Sequence, residues 1–567
     1  MRLFQLCSPP KRRDKLLRNP RLCLEKPDGT EEPATEEDMY TYRRHRWLFN
    51  EERELKCRHL RFDLQNLVKI AIDVAGDGAQ SCTKVLKCVE GLHNKALLLT
   101  MDNGKEVFVK LPNPNAGPAR YITASEVATR EFFQLSEIAN VPIPRVLAWS
   151  SDSANPVEAE YIMEEKAPGT RLGSLWHLWP RESKLRVIEQ IVDLEHLLTT
   201  IKFSKHGCLY FKEDLQQSFH ELNDNLLVDP PMDSTKLGRY AIGPLASAEL
   251  WSNGRESMDL DRGPWRRPEE YAKALGKNEI AWIETHASPR TNAYVSLKAP
   301  ELPYHALSLL SKYLDATPYL VPDNPIASAN VLWHPDLHLD NVFVDPMTCK
   351  ITGIVDWQGT SVAPLFYQSC VPRMFRHAGP VREGWVVPTR PANFDTLKEH
   401  EQRRVDQDLE NETIHKYYEA KVYKRAPHHW EVLKDQRGVE LRRDPTCLVT
   451  GVWENRQLFF LRQSLIAIAA FWDKLRPDET VESPLSFTKE ELDLHAKEDE
   501  NMTGVGNMLK LFRDEGVLPV DGMVDPDNYQ TAMINCRKFR DVFIGSAKDE
   551  GEKELFSKLW PYQNQEP

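Results

Sequence analysis

Residues 331–345 read VLWHPDLHLDNVFVD, a run with two histidines, three aspartates and one asparagine. Side chains of these types bind metals, move protons or satisfy turns, and their spacing separates the options. Read as His334-x-Asp336-x-His338, the run alternates metal-ligand types, as in a metallohydrolase. No second cluster of histidine and acid at ligand spacing accompanies it, and a working metal site draws ligands from several elements. Read as a turn, its aspartates and asparagine serve local hydrogen bonds and its histidines are satisfied core residues. Read as Asp336-x-x-x-x-Asn341 with Asp356 further on, it supplies the parts of in-line phosphoryl transfer. Those parts are a carboxylate for the acceptor hydroxyl, and an amide and a second carboxylate to hold magnesium on nucleotide phosphates.

The third reading needs elements that bring these residues together. VFVD (342–345) reads as a strand, PMTCK (346–350) as a turn and ITGIVDW (351–357) as a second strand. A loop leading into such a hairpin gathers Asp336, Asn341 and Asp356 at one end. The remaining parts occur upstream in the order the chemistry requires. They are a turn between strands (90–95), a strand lysine (Lys110), a helix glutamate (Glu126) and an apolar-to-acidic linker strand (161–166). Order and spacing together favour phosphoryl transfer.

The wider pattern is consistent with this. Apolar residues recur at helical spacing within 42–76, and Gly76 stops the pattern. TKVLKCVEG (83–91) and LHNKALLLTMDNGKEVFVKLP (92–112) alternate as strands, with Asp102-Asn103-Gly104 marking a hairpin turn. ITASEVATREFFQLSEIA (122–139) reads as a helix capped by Thr123 or Ser125. EAEYIMEEKAPGTRL (158–172) is a strand ending in a Pro-Gly turn, and helix follows from about 181 to 200. The segment 201–330 is too long for a structureless loop and is expected to hold helices. From about 380 onward the pattern is mostly helical, and LFFLRQSLIAIAAFW (458–472) reads as a buried helix because Arg462 and Gln463 interrupt it.

At 567 residues, with 41% hydrophobic and 28% charged residues, the chain suits a soluble protein of two or more lobes. A net charge of −12 argues against a dedicated nucleic-acid binder. No apolar run reaches bilayer-spanning length. The ten cysteines are scattered without a CxxC pair, which fits free thiols in a reducing compartment. Met1 to Leu24 carries seven Lys/Arg against one acid, Asp14. That bias suits either an organelle transit segment or a flexible basic tail.

HPDLHLDNVFVD…ITGIVDWQ resembles the catalytic signature of the aminoglycoside phosphotransferase/choline kinase branch of the protein-kinase-like superfamily, where Asp-Trp replaces the Asp-Phe-Gly of protein kinases. RWLFNEEREL, DNGKEVFVKLP, AGPARYITASEVATREF, SMDLDRGPW, LWHPDLHLDNVFVDP and ITGIVDWQGTSVAPLF together resemble the fungal altered inheritance of mitochondria protein 9 family, over roughly 42–376. The resemblance implies an α+β, bilobal protein-kinase-like fold. A small N-lobe with an antiparallel sheet and one helix is expected over 42–165. A large, mainly helical C-lobe is expected over 166–380, with an insert at 201–330 and a helical extension over 381–567. Residues 1–41 are left as a basic, flexible extension.

It implies an ATP- and magnesium-dependent kinase of a hydroxylated small molecule, in the mitochondrion, with the cytoplasm as the alternative location. Asp336 matches the catalytic base, and Asn341 and Asp356 match the magnesium ligands. Lys110 would contact the phosphates, held by Glu126. His334 braces the loop, and His338 is structural or lies near the phosphates. Met163, Glu164 and Glu165, up to Lys166, resemble the hinge that receives the adenine edge. The turn EGLHNK (90–95) departs from the pattern: it has Gly91 alone where related proteins favour a second small residue. Leu92 and His93 then crowd the phosphates, while Asn94 and Lys95 are expected beside them. That departure motivates the alternative, a pseudokinase or scaffold with a role in mitochondrial maintenance. The acceptor and the oligomeric state are not legible.

Overall fold

In the computed structural model the described residues are 19–135, 141–215, 226–229, 237–382, 384–476 and 481–564. They form two compact units: Met1–Arg43, Arg58–Asn113 and Arg145–Lys166 make the first, and Arg44–Cys57, Pro114–Pro144 and Ala167–Pro567 the second.

The first unit is built on a seven-stranded sheet. Cys82–Lys87, Asn94–Met101, Glu106–Pro112 and Tyr161–Glu165 are successive antiparallel neighbours, and Val146–Ser150 adds antiparallel to the last. The turn read at Asp102-Asn103-Gly104 is present, with Gly104 at φ 80° and the Lys105 amide bonded to Asn103 Oδ1 at 3.0 Å. Helix Leu64–Ala75 starts at Asp63, whose carboxylate accepts from the Asn66 amide, and ends at Gly76 with φ 72°. Its apolar stripe Leu64, Leu67, Val68 and Ala71 joins Val85, Leu97, Leu99, Val107 and Val109 in one buried core.

Two differences from the sequence reading concern residues 21–76. Residues 21–25, assigned above to the flexible extension, form strand Arg21–Glu25, parallel to Cys82–Lys87, with Cys23 fully buried. The basic bias of the terminus masks a short alternating strand, RLCLE; residues 1–18 lie outside the described residues. The pattern over 42–76 is also not one helix. It divides into strand Arg46–Trp47, helix Glu51–Lys56 and helix Leu64–Ala75.

The second unit is mainly helical. Its strand Arg46–Trp47 pairs with Met523–Val524, and Leu48 packs with Phe512, Leu518 and Trp560 near the other end of the chain. Helix Tyr121–Leu135 belongs here, packed through Phe132 on Phe203 and Tyr240. Thr123 and Ser125 do not cap it. The helix begins two residues before Thr123, after Arg120 at φ 71°, and both side chains are buried within it. Residues 136–139 of the expected helix lie outside the described residues.

The 201–330 segment holds helices Pro268–His286 and Pro303–Ala316, and an antiparallel pair of strands, Cys208–Phe211 with Tyr240–Gly243. Helices Glu399–Arg425, Pro427–Leu433, Gln436–Val449, Leu458–Ala470, Lys489–Asp514, Tyr529–Gly545 and Glu550–Leu559 fill most of the remainder. Among the described residues no helix is long and apolar enough to cross a membrane. The architecture is α+β, with one unit built on a sheet and one mainly helical, in line with the fold class that the resemblance implies.

Candidate functional site

The loop 333–341 leaves strand Asn330–Leu332 and enters strand Val342–Val344, which pairs antiparallel with Ile351–Ile354. A third strand, Thr170–Arg171, lies on the other side of Val342–Val344. This approach is close: a Cβ on Gly169, at φ 92°, would sit 2.5 Å from the Val344 carbonyl oxygen. Only glycine fits both the dihedral and the gap.

His334 is buried, and both ring nitrogens are used within the loop. Nδ1 accepts from the Asp336 amide at 3.2 Å, so the proton sits on Nε2, which donates to the Val355 carbonyl at 3.0 Å. Burial lowers its pKa, and the ring stays neutral. It packs edge-on against the fully buried Trp357, whose indole N–H donates to the Ile354 carbonyl. With both nitrogens committed, His334 is no metal ligand. It ties the loop to the residue before Asp356.

Asn341 makes the second tie. Its Nδ2 donates to the Asp336 carbonyl at 2.9 Å, and its own carbonyl accepts from the Val355 amide at 3.0 Å. Only the NH2 end of the amide can serve the Asp336 carbonyl, so Oδ1 is the atom left for a cation. Val355 is thus bonded to His334 through its carbonyl and to Asn341 through its amide. Asp356 follows in the left-handed region at φ 63°, a backbone state that costs a non-glycine residue energy and recurs where side chains are aimed for function.

The Asp336 side chain is 60% exposed and lies 3.5 Å from His338 Nε2. His338 Nδ1 accepts from the Asp340 amide at 3.2 Å, so its Nε2–H faces the Asp336 carboxylate. Asn341 Oδ1 and the Asp356 carboxylate are hard oxygen donors, the ligand type that magnesium takes. Among the described residues no group of three or more His, Cys, Asp or Glu side chains is arranged to hold a metal ion.

The other sequence-read residues divide between the two units. In the first, Lys110 is largely buried on Glu106–Pro112, opposite Ala96 and Ile162. Gly91 is exposed, and a Cβ there would meet nothing within 4 Å. Asn94 opens strand Asn94–Met101 opposite Pro112. Lys95 differs from the expectation. It is fully buried, and its ammonium donates to the Arg58 carbonyl at 2.9 Å and to Glu90 at 3.3 Å. The cause is strand alternation, since Lys95 shares its face with the buried Leu97 and Leu99. It sits behind the turn with Lys87, which is also paired to Glu90, at 3.0 Å.

Met163, Glu164 and Glu165 belong to the ladder itself. Each faces Glu106–Pro112, Met163 and Glu164 also face Val146–Ser150, and the Glu165 amide donates to the Arg145 carbonyl. The last pair of the ladder is Val107 with Glu165. In the second unit, Glu126 is buried on Tyr121–Leu135 with Arg130 at 3.8 Å.

Residues 260–368, which contain the whole loop and hairpin, match the phosphotransferase enzyme family. A subtelomeric hrmA-associated cluster protein of Aspergillus fumigatus is 30% identical over 522 residues, 86% of this chain and 97% of that protein. A protein of Yarrowia lipolytica named altered inheritance of mitochondria protein 9, mitochondrial, is 23% identical over 84% of this chain and 83% of its own length. A solved structure of a putative fructosamine-3-kinase from Thermobifida fusca aligns with 71% of this chain and 100% of its own, at a TM-score of 0.36 and 11% identity, too distant to add to the argument. The chain belongs to the family of the Aspergillus subtelomeric hrmA-associated cluster protein, has homologues named altered inheritance of mitochondria protein 9, and matches the phosphotransferase enzyme family over residues 260–368.

Proposed function

We propose that the protein is an ATP- and magnesium-dependent phosphotransferase whose acceptor is a hydroxylated small molecule. The observation that supports this is the double tie on Val355, from the His334 ring and the Asn341 carbonyl, which joins the loop bearing Asp336 and Asn341 to the residue before Asp356. Asp336, the most exposed of the loop's functional side chains, orients the acceptor hydroxyl and takes its proton as the bond to phosphorus forms. His338 Nε2–H steers that carboxylate. Asn341 Oδ1 and the Asp356 carboxylate would hold magnesium, which when bound neutralises charge on the nucleotide phosphates. Lys110 is assigned to the phosphates, Glu126 to its support and Gly91 with Asn94 to the covering turn. The relatives named altered inheritance of mitochondria protein 9, mitochondrial, support a mitochondrial location.

Calorimetric titration with ATP and magnesium, wild type beside Asp356→Asn, tests the reading. Binding that weakens markedly in the variant supports a working nucleotide site and justifies an acceptor screen. No binding by the wild type would leave the scaffold reading in its place. That second reading is favoured by one observation: the turn 90–95 is anchored by buried Lys87, Glu90 and Lys95 and has a single glycine.

A further inference from the structure

The turn between strands Cys82–Lys87 and Asn94–Met101 is held from behind, within its own unit, by a residue the sequence does not advertise. Arg58, in the segment before helix Leu64–Ala75, is 6% exposed. Its Nε donates to the Leu92 carbonyl at 3.1 Å, and its guanidinium carbon lies 5.7 Å from the centre of the buried Tyr42 ring. Its own carbonyl accepts from the buried Lys95 ammonium at 2.9 Å, and Lys95 and Lys87 both pair with Glu90. One residue further on, the His93 carbonyl accepts from the Asn113 amide at 2.8 Å. Two successive carbonyls of the turn are thus tied into the protein.

The peptide joining Leu92 to His93 is trans and planar, so its N–H points opposite to its carbonyl. With the carbonyl held by Arg58, the His93 amide faces away from that anchor. His93 is exposed, and among the described residues its amide has no hydrogen-bond partner. An outward amide whose own carbonyl is held back is a donor for an anion. A glycine-rich turn reaches that orientation through its own backbone freedom. Here, with Gly91 as the one glycine, a side-chain tether fixes it.

We propose that Arg58 is a positioning residue for the nucleotide phosphates: it orients the Leu92–His93 peptide so that the His93 amide donates to a phosphate oxygen. This rests on the nucleotide-binding reading given above. The anchoring that by itself favours a scaffold then serves to pre-organise a donor.

The test is calorimetric titration of full-length wild type, Arg58→Gln and Arg58→Lys with ATP and magnesium, and separately with adenosine, which lacks the phosphates. Arg58→Gln is expected to weaken the magnesium nucleotide about tenfold and to leave adenosine within about twofold. Arg58→Lys, which keeps a cationic donor, should bind the magnesium nucleotide about threefold more tightly than Arg58→Gln. A merely structural role would weaken both ligands alike, or neither. Should Arg58→Gln not fold, hydrogen exchange on the wild type carries the test. Exchange of the His93 amide should slow about tenfold or more with saturating magnesium nucleotide and stay unchanged with adenosine. A wild type that binds no magnesium nucleotide would sink the nucleotide reading, and this role with it. A wild type that binds it with the His93 amide unprotected, or a variant that binds it equally well or loses both ligands alike, would overturn the role of Arg58 alone.

Discussion

At the scale of single residues, the loop is organised by groups that never touch a substrate. His334 joins the Asp336 amide to the Val355 carbonyl, and its neutral state follows from that pair of bonds. His334→Ala is expected to lower folding stability by roughly 3 kcal/mol, the sum of two unpaired backbone groups and a lost ring. Urea unfolding midpoints would show it, and a change below about 0.5 kcal/mol would mean the brace is dispensable. Asp336 is the opposite case. It is exposed, so Asp336→Asn should leave stability and nucleotide binding near the wild type while lowering turnover of an acceptor by about 10²–10⁴. An unchanged turnover number would remove Asp336 from the role of base. The identities of both residues are legible in the sequence as HxD. What is not legible is that the histidine's partner is a carbonyl 21 positions away, because a backbone group leaves no letter in the sequence.

At the scale of elements, alternation explains both what the sequence reveals and what it hides. The hairpin after Asn341 and the Asp-Asn-Gly turn are local, with their strands and turn residues contiguous, so both can be read directly. Lys95 misleads because its charge suggests exposure. The alternation of Leu97 and Leu99 already places it on the covered face, and that was the available signal. Glu90 compensates for the burial. It pairs with Lys87 and Lys95, and its second oxygen accepts from the Arg43 amide at 3.0 Å. Burial pushes the Lys87 ammonium down to about 8, while Glu90 works against that shift. Glu90→Gln would strand two buried ammonium groups and is expected to cost about 3–5 kcal/mol. Thermal and denaturant unfolding of this variant beside Glu90→Asp check it, and equal stability of Gln and wild type would show that the cluster is solvated.

At the scale of the whole molecule, the units are assembled from pieces distant in the chain. Arg46–Trp47 pairs with Met523–Val524, a contact across more than four-fifths of the sequence, and periodicity carries no trace of such a pairing. The same assembly buries titratable groups whose effect appears only in global stability. Glu195 is fully enclosed and accepts from the Tyr418 hydroxyl at 2.6 Å, and burial pushes its carboxyl up to about 8 from an ordinary 4.5. His206 and His429 are enclosed and pushed down to about 3 from 6.5. The signs oppose. The folded state keeps a proton on Glu195 that the unfolded chain releases above 4.5, so this group's contribution is lost as pH rises toward 8. The histidines bind protons in the unfolded chain first, so theirs is lost as pH falls from 6.5 toward 3. Between 4.5 and 6.5 the two histidines outweigh the single carboxyl, and the three groups together still lose stability as pH falls, with a net slope of one proton. Between 6.5 and 8 Glu195 acts alone among the three, with a fall of up to about 1.4 kcal/mol per pH unit. Glu195→Gln retains an acceptor for Tyr418 and should flatten that alkaline limb and steepen the acid limb between 6.5 and 4.5, where Glu195 no longer opposes His206 and the neighbouring His429, whose Nδ1 lies 3.7 Å from its carboxylate. Denaturant midpoints from pH 4 to 9 read both limbs; a variant whose alkaline limb stays as steep as the wild type's would place the titrating group elsewhere.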